Sequence, residues 1–285
     1  MCSSSNHHGA LRTFIMLTGY KFESIRALRS ENVIAWEVLS TAKPHVNLED
    51  YFGSMTATQR KAHFFAQLRH AMFCKDGDKY YLNATSDLLL DTDFLDRLKE
   101  ETPCPERLAI EVTDLHSMIQ LDDTQSRALR KCIATLHQWG IEVWADDVCE
   151  DLLPELLTSQ IRFCGIKIDK HTFWNGRTEQ AKFLHLTRQC KRVASKVLIE
   201  GIETAGDFAL ARASAADYGQ GYLWGRKCPL SFRMLAIWSS FCAAMPVYGL
   251  APLVAATTWR HSIKNAACWT LSHSLCNCTV THVRK

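Results

Sequence analysis

The stretch IEVWADDVCED, residues 141–151, places two adjacent aspartates directly after an apolar run. The residues up to Ala145 predict a strand, and Asp146 and Asp147 stand where that strand would open into a loop. Adjacent carboxylates repel each other, so the pair is stable only in open water or beside a cation. The stretch therefore raises two alternatives, a solvated loop or a cation site at the end of a strand.

Short β-like runs of the same kind recur along the chain and alternate with stretches of helical periodicity. The other runs are VIAW (33–36), KYYL (79–82), RLAI (107–110), CGIKI (164–168), KVLI (196–199) and the region of DYGQGY (217–222). The helical stretches are Thr56 to Phe73, Thr124 to Trp139 and Glu179 to Val193. Repeated βα units favour a parallel sheet, and seven or eight of them favour a TIM (β/α)8 barrel.

No repeat and no linker rich in Pro, Gly or Ser divides the chain. We therefore expect one α/β domain over residues 20–240. The polar residues 1–19 are interpreted as a flexible N-terminal leader, and residues 241–285 as a C-terminal tail of unassigned structure.

Composition narrows the class of protein. The chain has 285 residues, of which 47% are hydrophobic and 22% charged, as in ordinary globular proteins. A net charge of +3 is too small to indicate nucleic-acid binding, so we expect no contact with DNA. The 12 cysteines are scattered, and the N-terminus lacks the pattern of a signal peptide. These features favour reduced thiols and a cytoplasmic location.

The apolar segment 234–259 contains no charged residue and is long enough to span a bilayer. Pro246, Gly249 and Pro252 interrupt it, so we favour a last helix followed by an apolar tail over membrane contact. A second minor alternative is a zinc site in the polar tail, where the spacing is irregular: His273, Cys276, Cys278 and His282.

Polar side chains stand at the ends of successive predicted strands. They are Glu37, Asn83, Glu111, Asp146, Asp147, Lys167 (within its strand), Glu200 and Gln220. Each one alone is ordinarily a helix cap or a solvated loop residue. In a βα barrel, however, these ends converge on the face where active sites are built. Carboxylate and amide oxygens suit Mg²⁺ or Mn²⁺, and two such ions about 3.5–4 Å apart would suit in-line attack on a phosphodiester.

The same residues form an ordered set of motifs that resembles the EAL domain family, bacterial cyclic di-GMP phosphodiesterases. The motifs are FESI (22–25), EVL (37–39), LNATS (82–86), IEVTD (110–114), ADD (145–147), KID (167–169), IEGIET (199–204) and QGYLWGR (220–226). The resemblance covers about residues 20–235. It implies a modified TIM barrel with one antiparallel strand, the first, and hydrolysis of cyclic di-GMP to linear pGpG, which lowers a second messenger that controls biofilm, fimbriae and motility.

The resemblance also implies roles for the site residues. Two Mg²⁺ or Mn²⁺ ions would be held, one by Glu37, Asn83, Glu111 and Asp146, the other by Asp146, Asp147 and Glu200. Lys167 would position or deprotonate the attacking water, and Glu203 and Gln220 would orient the water and its surroundings. Glu37, Lys167 and Glu203 are the catalytic residues on this reading, and Leu39 and Gln220 contact the substrate. Cyclic di-GMP is the expected ligand, and a homodimer is possible.

The sequence departs from the family pattern at one loop and at two single residues. Residues 148–151 (VCED) replace a loop that carries two glycines in active members, which makes positive φ angles costly there. Asp114 replaces a longer glutamate that supports this loop, and Thr41 replaces an arginine that contacts a substrate phosphate. Two functional classes therefore remain, an active phosphodiesterase, which we favour, and a catalytically weak or inactive protein that binds cyclic di-GMP or a protein partner as a regulator.

Overall fold

The computed structural model describes residues 16–74 and 77–231, with side chains described as far as residue 225. Within these residues the chain forms nine strands. They are β1 (Leu17–Ala27), β2 (Val33–Ala42), β3 (Tyr80–Ala84), β4 (Leu108–Val112), β5 (Glu142–Val148), β6 (Gly165–Ile168), β7 (Lys196–Ile199), β8 (Tyr218–Gly219) and β9 (Arg226–Ser231).

The strands close into a mixed barrel. Strands β2 to β8 follow one another in parallel, and β1 lies between β8 and β2, antiparallel to both. Strand β9 continues along the β8 side of β1, where Ser231 faces Gly19. The expected fold, a modified TIM barrel whose first strand runs opposite to the rest, is confirmed. Strand β1 begins at Leu17, earlier than the expected domain start at residue 20.

Helices follow the strands and pack around the barrel. In chain order they are α1 (Leu48–Gly53), α2 (Ala57–Phe73), α3 (Ser86–Leu89), α4 (Phe94–Glu101), α5 (Leu115–Ile119), α6 (Asp123–Gln138), α7 (Leu153–Thr158), α8 (Lys170–Asn175), α9 (Gln180–Val193) and α10 (Ala205–Ala213). The three long helices, α2, α6 and α9, are those that periodicity predicts. Capping boxes fix the starts of two of them, Thr56 with Gln59 and Asp122 with Gln125.

A plug of large side chains closes the barrel at the N-terminal ends of its strands. Trp144 is fully buried, and it packs against Tyr81 and Leu198 in one core cluster. The Trp144 ring fills the space over Gly165, where a Cβ atom would overlap it. Glycine is therefore required at this position so that the indole can lie across the barrel. The plug leaves the other end of the barrel, where the parallel strands terminate, as the end available to a site.

None of the helices in the described part of the chain has both the length and the apolar character needed to cross a bilayer. Segment 234–259, the remainder of the predicted tail and the minor zinc alternative fall outside the described residues. Cys74, Cys104, Cys132, Cys149, Cys164 and Cys190 are free thiols.

Candidate active site

Lys167 lies at the centre of the carboxylates at the open end of the barrel. Its Nζ atom is 2.8 Å from Glu200, 2.9 Å from Asp146, 3.1 Å from Glu111 and 3.7 Å from Glu37. The lysine is fully buried, and so is Glu111. One ammonium group thus faces four carboxylates in a region from which water is largely excluded.

The register of the barrel explains why these side chains meet. Asn83 on β3 pairs with Glu111 on β4, and Lys167 lies on β6. Because successive side chains alternate between the two faces of a strand, only every second residue points into the barrel. Neighbouring strands deliver the inward-pointing members at similar heights: Glu37 from β2, Asn83 from β3, Glu111 from β4, Asp146 from β5, Lys167 from β6 and Glu200 immediately after β7.

The protonation equilibria reflect an excess of negative charge. Burial raises the pKa of Glu200 to about 8 and that of Glu111 well above its ordinary range, although Lys167 opposes both shifts. Burial by itself would lower the pKa of Lys167, but the carboxylates of Asp146, Glu111 and Glu200 outweigh it and raise that pKa well above the ordinary value. The group thus holds protons that additional cations would displace.

The donor set fits divalent metal ions. One oxygen each of Asp146, Asp147 and Glu200 lies within 4.8 Å of the others, which is the spacing expected around a shared ion. The Oε2 atom of Glu111 and the Oδ1 atom of Asn83 are buried without a hydrogen-bond partner. Buried polar atoms are rarely left unpaired unless a ligand or ion completes them. Oxygen-only coordination favours Mg²⁺ or Mn²⁺ over zinc.

A local irregularity in β5 brings the paired aspartates to the site. The pairing with β6 shifts register between Ala145 and Val148, and Asp147 adopts a left-handed conformation with φ of 50°. Aspartate tolerates this conformation better than most residues, because its short side chain can form local hydrogen bonds. The irregularity leaves Asp146 buried and Asp147 exposed. Both neighbours can therefore approach Glu200 from a single strand.

The substituted segment 148–151 has a regular backbone. Val148 is buried and pairs with Ile168, and a short 3-10 helix, Glu150–Leu152, follows. Positive φ thus occurs at Asp147, and the residues that replace the family's glycines do not need it. The carboxylate of Asp114 accepts hydrogen bonds from the backbone N and the Oγ of Ser86, both at 2.7 Å. Asp114 therefore supports the start of α3, whereas the family's glutamate supports the loop after the paired aspartates.

Gln220 joins the site immediately after β8. Its Nε2 atom donates to the carboxylate of Glu37 and lies 3.4 Å from Oε2 of Glu23. Asn83 approaches the other oxygen of Glu37 at 3.5 Å. Sequence reasoning missed Glu23 as a site residue, although it stands two residues from Lys21 in the FESI strand and pairs in register with Glu37. The signal that could have found it is strand pairing: a residue directly opposite Glu37 on the neighbouring strand has its side chain on the same face of the sheet.

Other expected residues lie outside this carboxylate cluster. Leu39 is half-buried on β2. Thr41 contacts Thr18 through their hydroxyl groups at 3.0 Å. Glu203 is 3.7 Å from Arg177, an arginine that also pairs with Asp207. Among the described side chains Glu203 has no contact with Lys167, so its expected part in orienting water stays a prediction.

Comparison with known proteins agrees with this geometry. The sequence profile of the EAL domain matches residues 21–227. No curated protein matches the chain in sequence. Among solved structures, the PaMucR phosphodiesterase in complex with cyclic di-GMP has a TM-score of 0.63 and 16% identity over 81% of this chain and 98% of its own. An EAL domain protein from Listeria monocytogenes has a TM-score of 0.60 and 18% identity, over 84% and 98%.

A third similar structure contains metal. BlrP1 of Klebsiella pneumoniae, in a manganese and cyclic di-GMP complex at pH 9.0, has a TM-score of 0.57 and 19% identity over 75% of this chain and 59% of its own. Identities this low establish a shared fold and leave the details of the chemistry to the residues themselves. Since the family profile spans most of the chain and the barrel is of the same kind, the chain belongs to the EAL domain family.

Proposed function

We propose that the chain is a cyclic di-GMP phosphodiesterase that hydrolyses its substrate to linear pGpG. The observation that carries the proposal is the buried ring of oxygen donors around Lys167, which has more negative charge than the lysine can balance. Such a ring suits a chemistry in which cations and an anionic substrate share one site. Family membership and the complexes of PaMucR and BlrP1 with cyclic di-GMP support this choice of substrate.

The residues divide into two ligand sets around a shared aspartate. Glu37, Asn83, Glu111 and Asp146 would hold one Mg²⁺ or Mn²⁺ ion, and Asp146, Asp147 and Glu200 would hold the other. When bound, such ions supply Lewis acidity towards a phosphodiester and its attacking water. The chain's own part is to fix these oxygens in advance on short, fully paired strands, so that little reorganisation is needed during the reaction.

Lys167 contributes a held proton. The high pKa of its ammonium group means that, in this arrangement, Nζ donates to its neighbours and does not accept. That state supports the positioning role for Lys167, in which it orients an attacking water beside Asp146 and Glu200. Gln220 keeps one oxygen of Glu37 occupied as a hydrogen-bond acceptor and so fixes the orientation of that carboxylate. Leu39 supplies an apolar surface for the substrate near the site.

The test is incubation of the purified chain with cyclic di-GMP and Mn²⁺ or Mg²⁺, followed by chromatography for pGpG. We expect turnover that chelation with EDTA abolishes and that either metal restores. Glu37→Ala removes a ligand and should reduce turnover by several orders of magnitude, roughly the 10³-fold or more expected when a ligand that positions the reaction is lost. Glu155→Ala, an exposed glutamate on α7, is the matched control and should retain activity.

A binding regulator is the second candidate function. Thr41 carries no charge and is engaged with Thr18, which favours weaker contact with a substrate phosphate than a charged residue there would give. If the wild-type chain and Glu37→Ala both bind cyclic di-GMP but neither releases pGpG, the regulator is the correct function. Release of pGpG by the wild type alone establishes the enzyme.

A further inference from the structure

We propose that Lys21 binds the second phosphodiester group of cyclic di-GMP, the one that is not cleaved, at the mouth of the barrel. The inference rests on the proposed function, because it names a binding residue for that substrate. Cyclic di-GMP carries two anionic phosphodiester groups. A site that holds one of them at the carboxylate ring needs a separate cation for the other.

Strand register places Lys21 at the right height. On the antiparallel β1–β2 pair, Glu23 faces Glu37 and Lys21 faces Leu39. Residues two apart on a strand point to the same side, so Lys21 and Glu23 share the face that carries Glu37. Strand β2 runs towards the open end of the barrel, so the Lys21–Leu39 pair lies two residues nearer to that end than the Glu23–Glu37 pair. Lys21 therefore lies on the path that a substrate must take.

The residues on either side of Lys21 show that its side chain points into the barrel. Tyr20 and Phe22 are buried, and their rings pack against His70 of α2 outside the barrel, with centroid separations of 5.0 and 5.8 Å. Lys21 lies between them and points the opposite way. Its side chain retains 23% of its full exposure, so a ligand at the mouth can reach the ammonium group.

Among the basic residues of strands β1 to β8, whose side chains the structure describes, Lys21 is the best placed for this purpose. Strands β1 to β8 contain four basic residues, Lys21, Arg26, Lys167 and Lys196. Arg26 and Lys196 lie at the closed end of the barrel, where β1 finishes and β7 begins. Lys167 is fully buried among carboxylates. Of these four strand residues, only Lys21 combines a position at the open end with access from solvent.

A chain of polar contacts links Lys21 to the carboxylate ring. Its Nζ atom is 2.9 Å from Oε1 of Glu23, and Oε2 of Glu23 is 3.4 Å from Gln220, which donates to Glu37. The Glu23 carboxylate is paired with Lys21 in this structure. A phosphodiester has the same charge as that carboxylate and can take its place, so Glu23 competes with the substrate for the lysine.

Because of this competition, substitutions of the two residues should change KM in opposite directions. Lys21→Gln and Glu23→Gln both break the same ion pair. If the pair only stabilises the strand, both variants should change KM in the same direction. On our proposal Lys21→Gln raises KM for cyclic di-GMP by roughly 10- to 100-fold, as expected for a lost charged hydrogen bond, with little change in kcat. Glu23→Gln frees the lysine and lowers KM. Lys131→Gln, an exposed lysine on α6, makes the same change in net charge and should leave KM unaltered.

A single-phosphate substrate separates binding from chemistry. Bis(p-nitrophenyl) phosphate has no second phosphodiester group, so Lys21→Gln should hydrolyse it as well as the wild type does. Equal loss on both substrates would overturn the assignment, as would equal KM values for wild type and Lys21→Gln with cyclic di-GMP.

The proposed function can fail independently. If the wild type binds cyclic di-GMP without cleaving it, the same comparison is made with equilibrium dissociation constants. Weaker binding by Lys21→Gln and tighter binding by Glu23→Gln would then support the role of Lys21 while the phosphodiesterase proposal falls. A wild-type chain that neither binds nor cleaves cyclic di-GMP would overturn both.

Discussion

Lys167 acts as an internal counter-ion for the carboxylates that surround it. Four carboxyl groups lie within 4.0 Å of its Nζ atom, the farthest at 3.7 Å, so one positive charge faces more acids than it can balance in their ionised form. Without Lys167, the buried acids would have to be protonated or find other cations. The lysine thus supplies a positive charge inside the ring that partly balances the carboxylates.

The first consequence concerns stability without metal. In EDTA, Lys167→Met should lower the free energy of unfolding by about 3–5 kcal/mol, because it leaves buried carboxylates without their partner. Mn²⁺ should then raise the melting temperature of the variant more than that of the wild type. Denaturant unfolding with and without Mn²⁺ measures both effects.

Lys182→Met is the matched control. Its ion pair with Glu150 has a similar length, 2.9 Å, but the side chain is 60% exposed, so the change should stay within about 0.5 kcal/mol. A Lys167→Met protein as stable as the wild type in EDTA would show that the ring does not need its central cation.

The strands of the barrel each combine a segment of the core with one or two residues of the site. On β5, Trp144 fills the closed end, and two residues later Asp146 reaches the carboxylate group around Lys167. Strand β6 repeats this arrangement, with Gly165 against the indole and Lys167 at the site. The height of the site is therefore fixed by the packing of the plug beneath it.

Gly165→Ala should test this dependence. The added methyl group overlaps the Trp144 ring, so β5 and β6 must separate or the indole must move, at a cost of about 1–3 kcal/mol or more. Thermal unfolding of the metal-free protein measures the loss, and Trp144→Leu in the same chain should recover part of it. Gly53→Ala is the control, since nothing lies within 4 Å of the added atom. Similar losses for both glycine variants would contradict the packing argument.

Across the whole barrel, a polar cluster below the plug ties three strands together. Glu142 of β5 lies 2.5 Å from Lys79, just before β3, and 3.0 Å from Lys196 of β7, and it accepts a hydrogen bond from the Trp144 indole. Burial by itself would raise the pKa of Glu142, but the two lysines outweigh it and hold that pKa below its ordinary value. The cluster therefore contributes stability that depends on pH.

The sign follows from the direction of the shift. A carboxyl whose folded pKa is lowered stabilises the protein above its unfolded pKa, about 4.3, and this contribution is lost as pH falls through the folded value. Glu142→Gln should thus cost roughly 2 kcal/mol near pH 7. The difference from wild type should shrink steadily in acid below about pH 4. Urea unfolding at a series of pH values measures it, and a difference independent of pH would refute the role of charge.

Much of the barrel can be predicted from the sequence because most strands show both an apolar run and a polar residue at its end. An apolar run followed by a polar residue, as in the stretch ending at Asp146, marks both a strand and its open end. Long helices such as α2 are also predictable, since they repeat the helical period several times. Short helices such as α3 (Ser86–Leu89) contain about one turn, too little for a periodic pattern.

The site is only partly predictable for a similar reason. Each carboxylate that follows its own strand is visible locally, whereas Glu23 and Gln220 meet across 197 positions of sequence. Their contact depends on barrel closure by β1, which no local pattern encodes. The same holds for the left-handed conformation of Asp147, which arises from a register shift between two strands. Long-range pairing decides these features, and it is settled only in three dimensions.

The reversed direction of β1 has a consequence for any tethered segment. In an all-parallel barrel the first strand starts at the end remote from the active site. Here Gly19 of β1 faces both Thr41 of β2 and Ser231 of β9, so the first and the last described strands meet at the open end of the barrel, where the carboxylates lie. A ligand linked covalently at either of these two strand ends would therefore be held at high local concentration beside the carboxylates, without having to pass through the barrel wall.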